Sequence, residues 1–291
     1  MAITAMVGPP TYPAPMHAIR FENIVVYPLG LRSADLSSDF TFMLPKQRRY
    51  SKKRGLSLLV ADRALRLNLG LLMYNKILAS PILVRVFPFV VFAGPVMLQG
   101  RLGDASQYWI YAFRTALGLC LLWLVRPYVR EMRWEISWEA VVVGAVVFGA
   151  WVGLDGHYPM LAARNSTFNP GRTYGAGSLS AVVFTAVRVL GSSLVVPPLE
   201  EVFYRSFIYR YLIKSDFLKI PFGLLDWRAF LIAGLVFGIG HYEWLPGILC
   251  AFAYQGLVCR KNRLGDAMTA HAITNFLLGL WVITRHAYAF W

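Results

Sequence analysis

Residues 178–213 read SLSAVVFTAVRVLGSSLVVPPLEEVFYRSFIYRYLI, an apolar run longer than the roughly 20 residues that cross a bilayer. Pro197 and Pro198 stand in its middle, and three charged residues follow within 200–205. Two prolines remove two backbone donors, so the run predicts one discontinuous membrane-spanning helix. Such a helix is tolerated at membrane depth only where it is buried in protein or lines a cavity. The segment therefore predicts a helix bundle with a polar cavity beside the prolines.

The composition of the whole chain is that of a membrane protein. Of its 291 residues, 57% are hydrophobic and 15% are charged, whereas soluble domains average about 45–50% and about 25%. Seven apolar runs of roughly spanning length recur, at 82–99, 107–125, 138–154, 178–213, 228–243, 245–259 and 265–285. We therefore predict an all-α, polytopic membrane helix bundle of 7–8 transmembrane segments, with the proline-broken span at its active site.

The positive charge of the chain also fits a membrane protein. The formal net charge is +14, and basic residues cluster at 46–54, 126–133 and 260–263. Such clusters mark cytoplasmic segments and contact anionic lipids, so we predict membrane lipids and not nucleic acid as partners. The three clusters share one side if 178–213 crosses once, and the alternative is eight spans with one cluster misplaced. We predict an integral protein of the plasma (inner) membrane with a cytoplasmic N-terminus.

These features divide the chain into three regions. Residues 1–79 are predicted to be a basic cytoplasmic tail, in which 56–79 alternates leucine with basic residues and can form an amphipathic helix on the membrane surface. Residues 80–175 hold the first transmembrane segments, and 176–291 form the catalytic membrane domain. A second interpretation takes Met73 as the true start and the residues before it as dispensable.

The charged residues after the prolines need partners inside the membrane. A charge at the centre of a span costs roughly 2.5–3.5 kcal/mol on insertion scales, so these side chains should face the bundle interior. Glu201 and Arg205 are four residues apart on a helix and can pair. Glu200 points about 100° away and is left without that partner. The other interpretation is that all three form an ion-pair network that only holds the bundle together.

Two further polar sites lie on other apolar segments. His241 ends the run 228–243 in the sequence FGIGH, and His271 and Asn275 share one face of the last run. At 1.5 Å per residue, Glu200 and His241 lie roughly 20 Å from the cytoplasmic ends of their segments, Asn275 roughly 15 Å and His271 roughly 9 Å. These depths predict one shared cavity. A lone buried histidine can also be an ordinary core residue.

A carboxylate, two imidazoles and an amide suit the addition of water to a carbonyl group. The carboxylate can accept a proton from water, and a neighbouring imidazole can orient that water or pass the proton on. Amide and imidazole N–H groups aimed at the oxygen of the tetrahedral intermediate can each contribute about 3–4 kcal/mol. The residues thus predict a hydrolase.

Three motifs in this order resemble the CAAX protease and bacteriocin-processing family, which includes the type II CAAX prenyl endopeptidases. The family pattern EExxxR, FxxxH and HxxxN stands here as Glu200-Glu201-x-x-x-Arg205, Phe237-x-x-x-His241 and His271-x-x-x-Asn275. The resemblance covers about residues 175–285. It implies that Glu200 activates water with help from His241, that His271 and Asn275 stabilise the oxyanion, and that Glu201 and Arg205 organise the site.

The resemblance also bears on cofactors. The family is now usually interpreted as glutamate-dependent, although it was long regarded as metal-dependent, and we predict no cofactor here. A zinc ion held by Glu200, His241 and His271 is the chemical alternative. The sequence has no HExxH motif, and two of the three candidate ligands sit in apolar runs without obvious acidic neighbours.

The predicted function is an intramembrane endopeptidase that cleaves near the C-terminus of a lipidated or membrane-embedded peptide or protein. One rival is a zinc-dependent protease using the same residues. A second is a transport or proton-relay protein, which would usually show paired halves with matching broken helices, whereas only one proline-broken span is present. A third is a catalytically silent binding or bacteriocin-immunity protein with the same motif residues.

Overall fold

The computed structural model describes residues 72–73, 75–160 and 168–291. Leu59–Trp291 form one compact unit, and the described helices lie within it. The predicted basic tail and most of the predicted amphipathic helix lie outside the described residues. Of that predicted helix, residues 72–73 and 75–79 are described and are helical.

The described part of the chain is built from α-helices and contains no β-strand. The helices are α1 (Leu83–Ala93), α2 (Ser106–Val125), α3 (Trp138–Gly153), α4 (Pro170–Tyr174), α5 (Leu179–Leu190), α6 (Val196–Glu201), α7 (Tyr209–Ile213), α8 (Trp227–Ile239), α9 (Trp244–Lys261) and α10 (Gly265–Arg285). Five of the seven predicted apolar runs coincide with one α-helix each, 82–99 with α1 and a 3₁₀ helix at Gly94–Leu98, and 178–213 with a chain of helical pieces. The prediction of an all-α membrane bundle is confirmed.

Among the described residues, three helices are long and apolar enough to cross a membrane: Ser106–Val125, Leu179–Ile213 and Gly265–Arg285. Shorter apolar helices cover Leu83–Leu98, Trp138–Gly153 and Trp227–Ile239. The protein is therefore an integral membrane protein. The predicted span 245–259 corresponds to α9, whose polar Gln255 and basic end lower its hydropathy. One face of this helix is packed inside the bundle, with Tyr254 and Val258 fully buried, while Leu249 is exposed.

The segment with the two prolines stays helical throughout, and we call Leu179–Ile213 the long helix. Its α-helical pattern is interrupted by π turns at Gly191–Val195 and Val202–Ile208, on either side of α6. Pro197 and Pro198 occupy the first turn of α6, where a missing N–H is tolerated. At the α-helical rise the long helix spans about 50 Å, more than the roughly 30 Å hydrocarbon core. Because the long helix continues through the prolines as one helix, it agrees with the prediction that 178–213 is one of seven segments.

Close contacts between α3 and α10 fix the rotation of the last helix. Gly144 lies so near α10 that a Cβ atom on it would stand 2.6 Å from the carbonyl oxygen of Ala270. The Thr274 hydroxyl lies 2.8 Å from the carbonyl oxygen of Gly144 and accepts a hydrogen bond from Tyr254. Because these contacts hold one face of α10 against α3 and α9, the side chains on a neighbouring face are aimed at the long helix.

A buried ion cluster ties the first helix to the long helix. The carboxylate of Glu131, in the connector after α2, lies 2.7 Å from Nη2 of Arg85 and 3.5 Å from Nη2 of Arg210, and Ser206 donates to it. Burial raises the pKa of Glu131, but the charge of Arg85 and the hydrogen bonds from Ser206 and Arg85 outweigh it. The net pKa therefore lies below the ordinary value of 4.5. The cluster holds the π turn Val202–Ile208 in place.

Candidate active site

A cavity of about 220 Å³ lies between the long helix, the end of α8 and α10. Its lining includes Glu200, His241, His271 and Asn275, which come from three separate apolar segments. A larger groove of about 1270 Å³ runs beside the connector after α2, but no carboxylate or imidazole of the described residues lines it. The smaller cavity is therefore the candidate site. The structure brings these four side chains together, while their catalytic roles remain predictions.

The Glu200 carboxylate has no partner among the residues that the structure describes. Its side chain is half-buried, and its Oε2 atom is buried with no hydrogen-bond partner within the described part of the chain. In the same part of the chain it forms no ion pair within 4 Å. Burying a carboxylate without a partner costs free energy. Residues of this kind are found at functional sites more often than elsewhere.

Glu201, its neighbour, is fully buried and has two partners. Arg205 Nε lies 3.1 Å from Oε2, which confirms the predicted pair four residues apart. The N–H group is not aimed at that oxygen, so the contact is ionic rather than a hydrogen bond. His271 Nδ1 lies 2.8 Å from the other carboxylate oxygen, across 70 residues of sequence. Glu201 therefore joins α6 to α10 through His271, which lines the cavity.

The guanidinium of Arg205 is enclosed by aromatic rings. It lies 4.5 Å from the ring centre of Phe237 and 5.7 Å from that of Tyr254, and both terminal nitrogens lack hydrogen-bond partners among the described residues. Ring faces stabilise a cation without fixing its N–H groups. Arg205 therefore supplies positive charge to Glu201 and packing to α8 and α9.

The tautomer of His241 follows from its backbone partner. Its Nδ1 lies 2.8 Å from the carbonyl oxygen of Phe237, which can only accept, so Nδ1 carries the proton. In the neutral ring, Nε2 is then an acceptor. The rings of Phe237 and Trp151 lie 4.7 and 5.8 Å away and hold the imidazole plane. His241 can thus accept a hydrogen bond from a water molecule in the cavity.

His271 is buried and oriented in the same way by Glu201. Because the carboxylate accepts from Nδ1, the neutral ring has its acceptor at Nε2. Donation to an oxyanion from Nε2, the role implied by the family resemblance, therefore requires the doubly protonated ring. The ring of Tyr254 stacks on His271 at 5.3 Å.

Asn275 is anchored by the first π turn. Its Nδ2 donates a 2.8 Å hydrogen bond to the carbonyl oxygen of Ser192, which lies within Gly191–Val195. A π turn changes the backbone hydrogen-bond pattern and leaves carbonyl groups for other donors. The amide keeps a second N–H group, and that group can serve an oxyanion in the cavity.

Sequence reasoning missed two arginines that line the same cavity, Arg114 of α2 and Arg188 of α5. It also missed Tyr254, which lines the cavity and contacts His271. The signal for the arginines was available, because both are full charges inside the apolar runs 107–125 and 178–213. Tyr254 gave no such signal, since buried tyrosines are common in helix bundles.

The arrangement of donor side chains bears on the zinc alternative. In residues 72–73, 75–160 and 168–291, no three His, Cys, Asp or Glu side chains are gathered closely enough to hold a metal ion. Glu200, His241 and His271 share a cavity but do not form such a group. That the reaction needs no cofactor remains a prediction.

Comparison with known proteins agrees with the motifs. Residues 182–277 match the family model described as type II CAAX prenyl endopeptidase Rce1-like, and the match begins in α5, ends in α10 and includes all six predicted site residues. No curated protein and no solved structure gives a significant match. The match over residues 182–277 therefore supports the resemblance to the CAAX protease family that the three motifs predicted.

Proposed function

We propose that this protein is an intramembrane endopeptidase that hydrolyses a peptide bond near the C-terminus of a lipidated or membrane-embedded substrate. The family match supports a membrane protease. The observation that carries the proposal is the unpaired carboxylate of Glu200 in a cavity that also contains two oriented imidazoles and an anchored amide. If Glu200 belonged to an ion-pair network that only stabilises the bundle, its carboxylate would be expected to contact a cation.

In the proposed reaction, a water molecule binds between Glu200 and Nε2 of His241. Glu200 takes a proton from the water, and the water oxygen forms a bond to the carbonyl carbon of the substrate. The carbonyl oxygen becomes an oxyanion, which accepts hydrogen bonds from Asn275 and from the imidazolium of His271. The C–N bond then breaks, and the leaving nitrogen takes the proton from Glu200. The products are a carboxylate and an amine.

Glu201 and Arg205 act in this scheme as positioning residues. Glu201 holds His271 in the orientation that presents Nε2 to the cavity. Arg205 neutralises Glu201, and both side chains of this pair are buried. Neither side chain needs to touch the substrate.

The test uses purified protein with fluorogenic peptides, each prepared with and without a lipid group and assayed with and without a chelator. Wild-type protein is expected to cleave at least one of them, with full activity after chelation. Glu200→Gln should abolish cleavage while folded protein stays abundant. Glu135→Gln is the matched control, because that carboxylate is 41% exposed and pairs with Arg263 outside the cavity.

Three outcomes would contradict parts of the proposal. Cleavage that persists in Glu200→Gln would remove the proposed base. Equal loss of folded protein in Glu200→Gln would support the ion-pair interpretation. Activity that disappears with chelator and returns with zinc would favour the metalloprotease.

A further inference from the structure

Two arginines in the candidate site have no acidic partner within the described part of the chain. Arg114 and Arg188 line the cavity, and neither forms an ion pair within 4 Å with a carboxylate of the described residues. Glu200 and Arg188 both interact with Arg114 electrostatically, but from beyond ion-pair distance. The two guanidinium groups therefore add a region of positive charge to the cavity beside Glu200.

Both arginines lie within membrane-spanning helices, where an unpaired charge costs free energy. Arg114 is eight residues from the start of α2 and eleven from its end, about 12 and about 16 Å at the α-helical rise. Unpaired charge near the middle of a span is rare unless it serves a ligand or a conducted ion. Neither arginine is required by the proposed chemistry at Glu200, His241, His271 and Asn275.

Aromatic rings hold both guanidinium planes and leave donors available. Arg188 lies 4.5 Å from the ring centre of Tyr111 and 5.2 Å from that of Phe168, and its Nε is buried without a hydrogen-bond partner in the described chain. Arg114 lies 4.4 Å from the ring centre of Phe92 and donates from Nε to that residue's carbonyl oxygen at 3.2 Å. The side chains are therefore preorganised, while terminal N–H groups remain free for an anion.

We propose that Arg114 and Arg188 bind the C-terminal carboxylate of the substrate peptide. The inference rests on the proposed function, because it takes the occupant of the cavity to be a peptide. A guanidinium group matches a carboxylate in shape and charge. The phosphate of a lipid headgroup fits less well, since headgroups stay at the bilayer surface and these arginines lie far from both ends of their spans.

A bound carboxylate would also set which bond is cleaved. Arg188 precedes Glu200 by twelve positions on the long helix, at most about 18 Å along its axis. An extended peptide covers about 3.3–3.6 Å per residue, so no more than about five residues fit between the two points. The arginines would therefore select a bond close to a free C-terminus.

The experiment compares two peptides that differ only at the end, one a free carboxylate and one a carboxamide. For wild-type protein, kcat/KM for the carboxylate peptide should exceed that for the carboxamide by about 10–100-fold, as expected for charge-assisted hydrogen bonds. This ratio should fall towards one in Arg188→Gln and Arg114→Gln and be partly kept in Arg188→Lys. Arg228→Gln is the matched control, because Arg228 is exposed at the start of α8 and should keep the wild-type ratio.

Binding of both labelled peptides to Glu200→Gln protein separates this inference from the proposed function. If no peptide is cleaved but the carboxylate peptide binds more tightly and loses that advantage in Glu200→Gln/Arg188→Gln, the carboxylate site stands and the protease proposal fails. A ratio near one in wild-type protein, or an unchanged ratio in both arginine variants that melt like wild type, would overturn the inference. So would competition by a short-chain phospholipid that depends on Arg188.

Discussion

Neighbouring glutamates in the candidate site should respond in opposite ways to the same substitution. Glu201→Gln removes one partner of a pair whose side chains are 0% and 3% exposed, and so leaves the charge of Arg205 buried without compensation. Breaking a buried pair on one side costs about 3–5 kcal/mol. Glu200→Gln removes a carboxylate with no partner in the described chain, so the folded state should lose no stability.

The measurement is the free energy of unfolding of both variants in the same detergent, followed by circular dichroism, together with peptide cleavage. Glu201→Gln should lose stability and activity together, whereas Glu200→Gln should lose activity alone. The double variant Glu201→Gln/Arg205→Gln should regain part of the stability, because both charges are then absent. Equal destabilisation by the two single variants, or a double variant no better than Glu201→Gln, would refute the division into a positioning and a reacting glutamate.

Two other expectations concern the oxyanion donor and the ion cluster outside the cavity. Asn275→Ala should lower kcat by about 100-fold or more and leave KM nearly unchanged, since the amide acts on the transition state, and steady-state kinetics with normal turnover would remove that role. Because the pKa of Glu131 is below 4.5 in the folded protein, its stabilisation is present above that pH and lost as the pH falls through the folded-state value. Glu131→Gln should therefore cost about 1–3 kcal/mol at pH 7 and remove part of the acid sensitivity in melts between about pH 3 and 7, and an unchanged pH profile would contradict the cluster's role.

Much of the fold could be predicted because each membrane helix is recognisable from its own stretch of sequence. An apolar run of spanning length must form a helix in lipid, and α2, α3, α8–α10 and the long helix begin and end close to the predicted boundaries. The pair between Glu201 and Arg205 was predictable for the same reason, since positions four apart on a helix face each other. The form of the interruption at Pro197 was not predictable, because π turns depend on how neighbouring helices satisfy the backbone.

Contacts between helices could not be obtained from spacing along the chain. The hydrogen bond from His271 to Glu201 spans 70 residues, and the one from Asn275 to Ser192 spans 83. Both depend on how far α10 is rotated against the long helix, and that rotation is set by close contacts such as the one at Gly144. The sequence predicted that His271 and Asn275 share a face, but not that each would be anchored by a different element.

The helical geometry of α6 explains how one dipeptide can supply both a structural and a reacting carboxylate. Successive residues on a helix point about 100° apart, so Glu200 and Glu201 cannot share partners. Glu201 is turned towards Arg205 and His271 and is fully buried, while Glu200 is turned into the cavity and stays half-buried. Arg205 therefore stabilises the carboxylate of Glu201 inside the membrane. The carboxylate of Glu200 remains available to accept a proton. A single glutamate at this point of the helix could orient His271 or activate water, but it could not do both.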